Sequence, residues 1–125
     1  MQRRYGLRNG AEDTCCTLDA HTRCGWRARC GFVAYVLPGS IVRGAVIASK
    51  GMDQAQACES YHRADLRSVG SIPPLAGRSP AYIVRELILF QTGGRANAGA
   101  APMRFVASHL TLRDKIAAAA YGGSR

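Results

Sequence analysis

Cys58-Glu59-Ser60-Tyr61-His62 and, a little further on, Ile72-Pro73-Pro74-Leu75-Ala76-Gly77 lie in an irregular stretch, residues 51–79, with helical patterns on either side. Such a stretch is too long to be a simple turn. Something other than backbone hydrogen bonding must organise it. The stretch carries a thiol and an imidazole near its start and a proline pair near its end.

Working outward from it, Ser40 reads as an N-cap, and Ile41, Val42, Ala45 and Ala48 recur at helical spacing up to Gly51. Downstream, Ser79-Pro80 reads as an N-cap followed by proline at the first helical position. Ile83, Leu87 and Phe90 then recur at i, i+4 and i+7 until Gly93-Gly94. After a loop of Ala, Asn, Gly and Pro, Thr111-Leu112-Arg113-Asp114 resembles a capping box. It opens a helix through Ile116 and Tyr121 that is expected to stop at Gly122-Gly123. The expectation is an all-α fold of three main helices with long loops. Residues 1–40 show no sustained period and read as an irregular Cys/Arg-rich extension, with the folded domain at residues 41–125.

Length and composition agree with one small domain. The chain has 125 residues, 47% of them apolar, and no apolar run of about 18 residues that would span a bilayer. The net charge is +9, carried by Arg with only Lys50 and Lys115 as exceptions. Six basic groups face three acidic ones before Ser40, and eleven face five from there on, so no basic tail stands apart. Such a charge suits an acidic protein partner, an anionic membrane surface or nucleic acid. Nucleic acid is not expected, because the chain has neither a block of like charge nor an aromatic-rich basic strand for stacking bases. Residues 1–14 are polar throughout and do not read as a secretory signal.

Five cysteines form an odd set, with Cys15, Cys16, Cys24 and Cys30 crowded together and Cys58 alone. Cys16, His21, Cys24 and Cys30 offer four donors for zinc, but their spacing lacks the paired short loops of common structural zinc sites, and reduced thiols fit equally. No nucleophile elbow, phosphate-cradling glycine loop or close carboxylate pair appears, so an enzyme is not expected.

Roughly 80 residues with three short helices bury too little apolar surface to offset chain entropy unaided. A staple is expected, and a large flat apolar haem would let loops as well as helices bury side chains against it. Iron in an electron carrier needs two strong axial ligands, and imidazole with thioether meets that need, the soft sulfur favouring ferrous iron. His62 and Met103, each expected in a loop beside a helix, offer this pair. Neither says much alone, since single histidines are usually structural and methionines usually fill cores.

Their context is more specific. Residues 44–51 (Gly-Ala-Val-Ile-Ala-Ser-Lys-Gly), Ala57-Cys58, His62, residues 72–77, Tyr82-Ile83, Leu87, Phe90, Gly93, Arg95, Met103, Val106-Ala107, Leu110 and Ala119-Ala120-Tyr121 follow an ordered pattern. Over residues 41–121 that pattern resembles the bacterial class I c-type cytochrome domain, of the type often found in pairs. The resemblance implies a mono-haem electron carrier with haem c, His62 as proximal and Met103 as distal iron ligand. It implies that Pro73 or Pro74 gives its carbonyl to the other imidazole nitrogen, and that Arg95 pairs with a haem propionate. Gly44 and Tyr121 match the place where the first and last helices cross. A periplasmic location and an acidic redox protein partner follow, with Arg63, Arg67, Arg78 and Arg104 as the steering charges. Phe32-Val33-Ala34-Tyr35-Val36 resembles the last turns of a preceding domain.

The chain departs from the family at its attachment motif. Covalent attachment uses Cys-x-x-Cys-His, in which two thiols add to the haem vinyls. Tyr61 occupies the second thiol position, so at most one thioether, through Cys58, is available. Arg63 stands where the family usually has Gly. The alternative reading is a haem-free remnant of the fold acting as a basic interaction module, or a small zinc- or nucleic-acid-binding protein.

Overall fold

A computed structural model describes residues 34–68 and 70–125. The cysteines at 15, 16, 24 and 30, with the zinc reading built on them, lie outside the described residues. Five α-helices follow in order: α1 (Ser40–Lys50), α2 (Cys58–His62), α3 (Pro80–Thr92), α4 (Ala101–Ser108) and α5 (Leu112–Gly123), with a short 3₁₀ turn at Ala98–Ala100 leading into α4. No strand occurs among the described residues, and the all-α expectation holds.

The three longest helices are the three expected from periodicity. At the start of α3 the Ser79 hydroxyl accepts from the Tyr82 N–H (3.4 Å), with Pro80 in the first turn. Its end is Gly93 in a left-handed conformation (φ 80°). Helix α5 opens with the expected reciprocal box: the Asp114 N–H donates to Thr111 Oγ1 and the Thr111 N–H to Asp114 Oδ2, both at 3.2 Å. Arg43 Nε on α1 donates to Asp114 Oδ1 at 2.7 Å and so ties the first helix to the cap of the last. Burial raises the Asp114 carboxyl, but the Thr111 and Arg43 bonds outweigh it and hold the group below the usual carboxylate range.

Four expectations change. Gly39 (φ 83°), not Ser40, is the N-cap of α1, and no side chain caps that helix. Gly122 and Gly123 do not stop α5 but lie inside its last turn, with Ser124 as C-cap. They are needed for approach: a Cβ on Gly123 would lie 2.8 Å from Pro80 Cγ and 2.9 Å from the Arg78 carbonyl oxygen. His62 and Met103 are not in loops, since His62 ends α2 and Met103 sits in the first turn of α4. The long connection between α1 and α3 is therefore interrupted by a helical turn that places Cys58 and His62 on one element.

Packing centres on α5. Helix α1 crosses it most extensively, and α3 packs on both α4 and α5. Two apolar clusters result. Ile47, Ala55, Val106, Leu110 and Ala117 form one, with Met52, Cys58 and Ala118 against it. Ile83, Leu87, Ala107 and Ala119 form the other, with Val84, Phe90 and Met103 at its edge. Alanine makes up much of this interior, so each buried residue contributes little apolar area, in keeping with a domain that relies on a staple. Lys115 is buried as well, its ammonium donating to the Leu110 carbonyl. Burial lowers the pKa of that group, with the Asp114 charge opposing the shift.

Candidate haem site

The thiol of Cys58 and the imidazole of His62 project from one short helix and meet different surroundings. Cys58 is half-buried against the first cluster and carries no disulfide. Burial pushes its thiol up to about 11, a backbone hydrogen bond opposing, so it is protonated at neutral pH. Tyr61 turns to Gln56 instead, its hydroxyl donating to Gln56 Oε1 at 2.6 Å.

His62 is 3% exposed. Its Nδ1 lies 2.9 Å from the Pro73 carbonyl oxygen and 3.1 Å from Ser68 Oγ. A carbonyl only accepts, so Nδ1 carries the proton and the lone pair is on Nε2. That Nε2 is buried and, among the described side chains, is the one buried polar atom without a hydrogen-bond partner. Burial lowers the pKa of the ring, the Pro73 bond opposing, which favours the neutral imidazole. A buried acceptor aimed at no protein donor costs about 1–3 kcal/mol unless something else meets it. The neutral tautomer with a free Nε2 is the form that ligates a metal.

The connection after His62 holds this ring through a tight set of backbone bonds. The Leu75 and Ala76 N–H groups both donate to the Leu66 carbonyl (2.8 and 3.0 Å), and the Ser68 N–H donates to the His62 carbonyl (3.2 Å). The geometry chooses Pro73 over Pro74 for the imidazole, since the Pro74 carbonyl accepts from Arg78 Nε at 3.3 Å. Arg63, Leu66 and Ser68 all have positive φ (65°, 55° and 55°). Arg63 is the most costly, because φ 65° with ψ 163° is a region almost reserved for glycine. Arg63→Gly is therefore expected to stabilise the chain by about 1–2 kcal/mol, read as a higher melting temperature. An unchanged or lower melting temperature would show that the exposed Arg63 side chain makes up the difference.

Met103 and Arg95 meet other partners. Met103 is half-buried against the cluster of Ile83, Leu87, Ala107 and Ala119. Arg95 pairs with Glu86 and lies over the Phe90 ring, its Cζ 5.1 Å from the centroid. No group of three or more His, Cys, Asp or Glu side chains capable of holding a metal ion occurs among the described residues.

Cytochrome c-552 of Acidithiobacillus ferridurans is 32% identical over 80 residues, which cover 62% of this chain and 34% of that protein. Cytochrome c4 of Acidithiobacillus ferrooxidans superposes with a TM-score of 0.65 at 29% identity, covering 72% of this chain and 52% of that one. Reduced cytochrome c4 of Pseudomonas stutzeri gives 0.66 at 26% identity, covering 75% and 50%. These likenesses support a class I c-type cytochrome domain. A thiosulfate dehydrogenase from Marichromatium purpuratum is also similar, with a TM-score of 0.59 at 32% identity over 66% of this chain and 18% of that one. No family model matches the chain. The chain spans about a third of the length of the curated relative it matches and about half that of the cytochrome c4 structures.

Sequence reasoning missed Ser68 and Lys115. Ser68 belongs to no periodic pattern, and nothing in its neighbours marks a hydroxyl turned inward. Lys115 follows the cap residue Asp114, where a solvated lysine is the ordinary expectation.

Proposed function

We propose that this domain is a haem-binding one-electron carrier with haem c attached through a single thioether at Cys58. The observation that carries the reading is the buried, unpartnered Nε2 of His62, whose opposite nitrogen is tied to Pro73. When bound, the haem iron supplies the one-electron step by cycling between ferric and ferrous states. His62 offers the proximal lone pair in a fixed tautomer, and Met103 the soft sulfur that favours the ferrous state. Cys58 would hold the group through its one thiol, whose S–H adds whole across a vinyl double bond, so that the attachment would need no oxidant. Tyr61 has no thiol to add.

Carriage of electrons fits this site better than turnover of a substrate, although one matching structure is that of a dehydrogenase. Burial of His62 keeps the ligand nitrogen from bulk water, as a closed site for one-electron exchange requires. Arg63, Arg67, Arg78 and Arg104 are exposed, and we assign them to steering an acidic redox protein partner through long-range attraction. Among the described residues no helix is long and apolar enough to cross a membrane. We place the protein in the periplasm, where covalent haem attachment is made in this family.

The test is expression of the full chain with haem-maturation machinery. A Soret band should appear, and haem should stay on the chain through acid–acetone extraction. Cys58→Ser should release it in that extraction, and Met103→Ala should remove the weak sulfur-to-iron band at the red end of the oxidised spectrum. A colourless product would return the chain to the reading as a basic interaction module.

A further inference from the structure

We propose that Ser68 is a positioning residue that sets how strongly the Pro73 carbonyl pulls on the imidazole N–H of His62, and thereby raises the potential of the site. The proposal rests on His62 being the iron ligand. Three contacts place the residue. Ser68 Oγ donates to the Pro73 carbonyl oxygen at 2.8 Å and lies 3.1 Å from His62 Nδ1, and the Ser68 N–H donates to the His62 carbonyl at 3.2 Å. The imidazole N–H itself meets the same Pro73 oxygen at 2.9 Å. Ring, hydroxyl and carbonyl thus form a closed triangle. Ser68 holds this place with φ 55°, a left-handed conformation that a non-glycine residue adopts only when its surroundings enforce it.

The chemistry follows from sharing one acceptor. A carbonyl oxygen has two lone pairs and can take both donors, but each bond draws electron density from the oxygen and weakens its pull on the other. With the serine hydroxyl in place, the Nδ1–H bond is less polarised and Nε2 is a weaker base. A less basic imidazole stabilises ferric iron less, so the reduced state gains and the potential rises. Removing the hydroxyl leaves the whole carbonyl to the ring, strengthens ligand basicity and lowers the potential. The Ser68 backbone bond to the His62 carbonyl persists when the hydroxyl is lost, so the loop keeps its anchor.

Ser68→Ala and Ser68→Gly in the full chain separate this role from a structural one. Both lose the hydroxyl, but only the glycine relieves the positive φ, so melting temperature should differ between them while the electronic effect should not. In the haem-loaded protein both variants should show a lower midpoint potential than the parent by spectroelectrochemical titration, with the sulfur-to-iron band retained. In the haem-free chain both should move the His62 Nδ1 proton downfield and slow its exchange with solvent. A potential that stays put or rises overturns the assignment, as does a shift confined to Ser68→Gly, which would report strain alone. A parent chain that takes up no haem refutes the haem reading instead. The proton resonance then decides Ser68 independently, and an unmoved resonance rejects it.

Discussion

Gly44→Ala is expected to lower the melting temperature by about 10–20 °C, corresponding to about 2–3 kcal/mol of overpacking in a domain of this size. Gly44 is where α1 meets α5. A Cβ built there would lie 2.1 Å from the Ala117 carbonyl oxygen and 2.7 Å from Tyr121 Cβ. The first obstacle is backbone, which does not swing aside as a flexible side-chain tip would, so the helices themselves must separate. Separation then loosens Ile47 and Ala117 in the first cluster and the Arg43–Asp114 pair (2.5 Å) beside it. Thermal melts followed by far-ultraviolet circular dichroism check this. A melt like that of the parent would mean that the two helices do not cross at this residue.

His62→Ala should reduce haem incorporation by more than about tenfold, the minimum expected when a ligand is lost outright, since outer-shell changes alone cost 10–100-fold in metal affinity. The readout is Soret absorbance per mole of chain after expression with maturation machinery. Fold and cofactor can be told apart here, because the substitution also removes a buried nitrogen that has no hydrogen-bond partner among the described residues. Losing that unsatisfied acceptor offsets part of what is lost with the Pro73 bond, so the haem-free variant should keep its helical spectrum. Full haem loading in His62→Ala would show that another residue holds the iron.

Much of the fold could be read from residues whose physics is local. Ser79-Pro80 and the Thr111–Asp114 box mark helix starts because their side chains bond to backbone within one turn. Ile83 and Leu87 mark a buried face because they repeat with the helix. Gly44 and Tyr121 are far apart in sequence, and only the ordered resemblance connected them. The elements that escaped reading depend on tertiary contact. Helix α2 has five residues, too few for any period to emerge. Helix α4 begins amid Ala, Gly and Pro, which otherwise spell a loop. Gly122 and Gly123 read as a stop because glycine favours helix ends, yet here the close approach of Pro80 and Arg78 overrides that tendency.

The candidate site divides along the same line. Cys58, His62 and the Pro73-Pro74 pair were legible through the ordered resemblance, which brings a thiol, an imidazole and a carbonyl acceptor to one site, and the structure joins His62 to Pro73 directly. The choice of Pro73 over Pro74 depends on which carbonyl faces the ring and which one Arg78 already occupies. Arg95 carries a charge of the right sign for a propionate, but sign cannot reveal that Glu86 already pairs with it.

The contact between α1 and α5 also has a consequence for biosynthesis. Both partners of the crossing lie at opposite ends of the domain, so native order depends on contacts of long sequence separation, which form slowly. A ribosome adds about 5–20 residues per second, and until α5 has emerged, Ile47 lacks Ala117 and the cluster that shelters Cys58 is incomplete. Until the last helix docks, Cys58 therefore lacks part of the apolar packing that half-buries it, and its thiol is more open than in the finished fold.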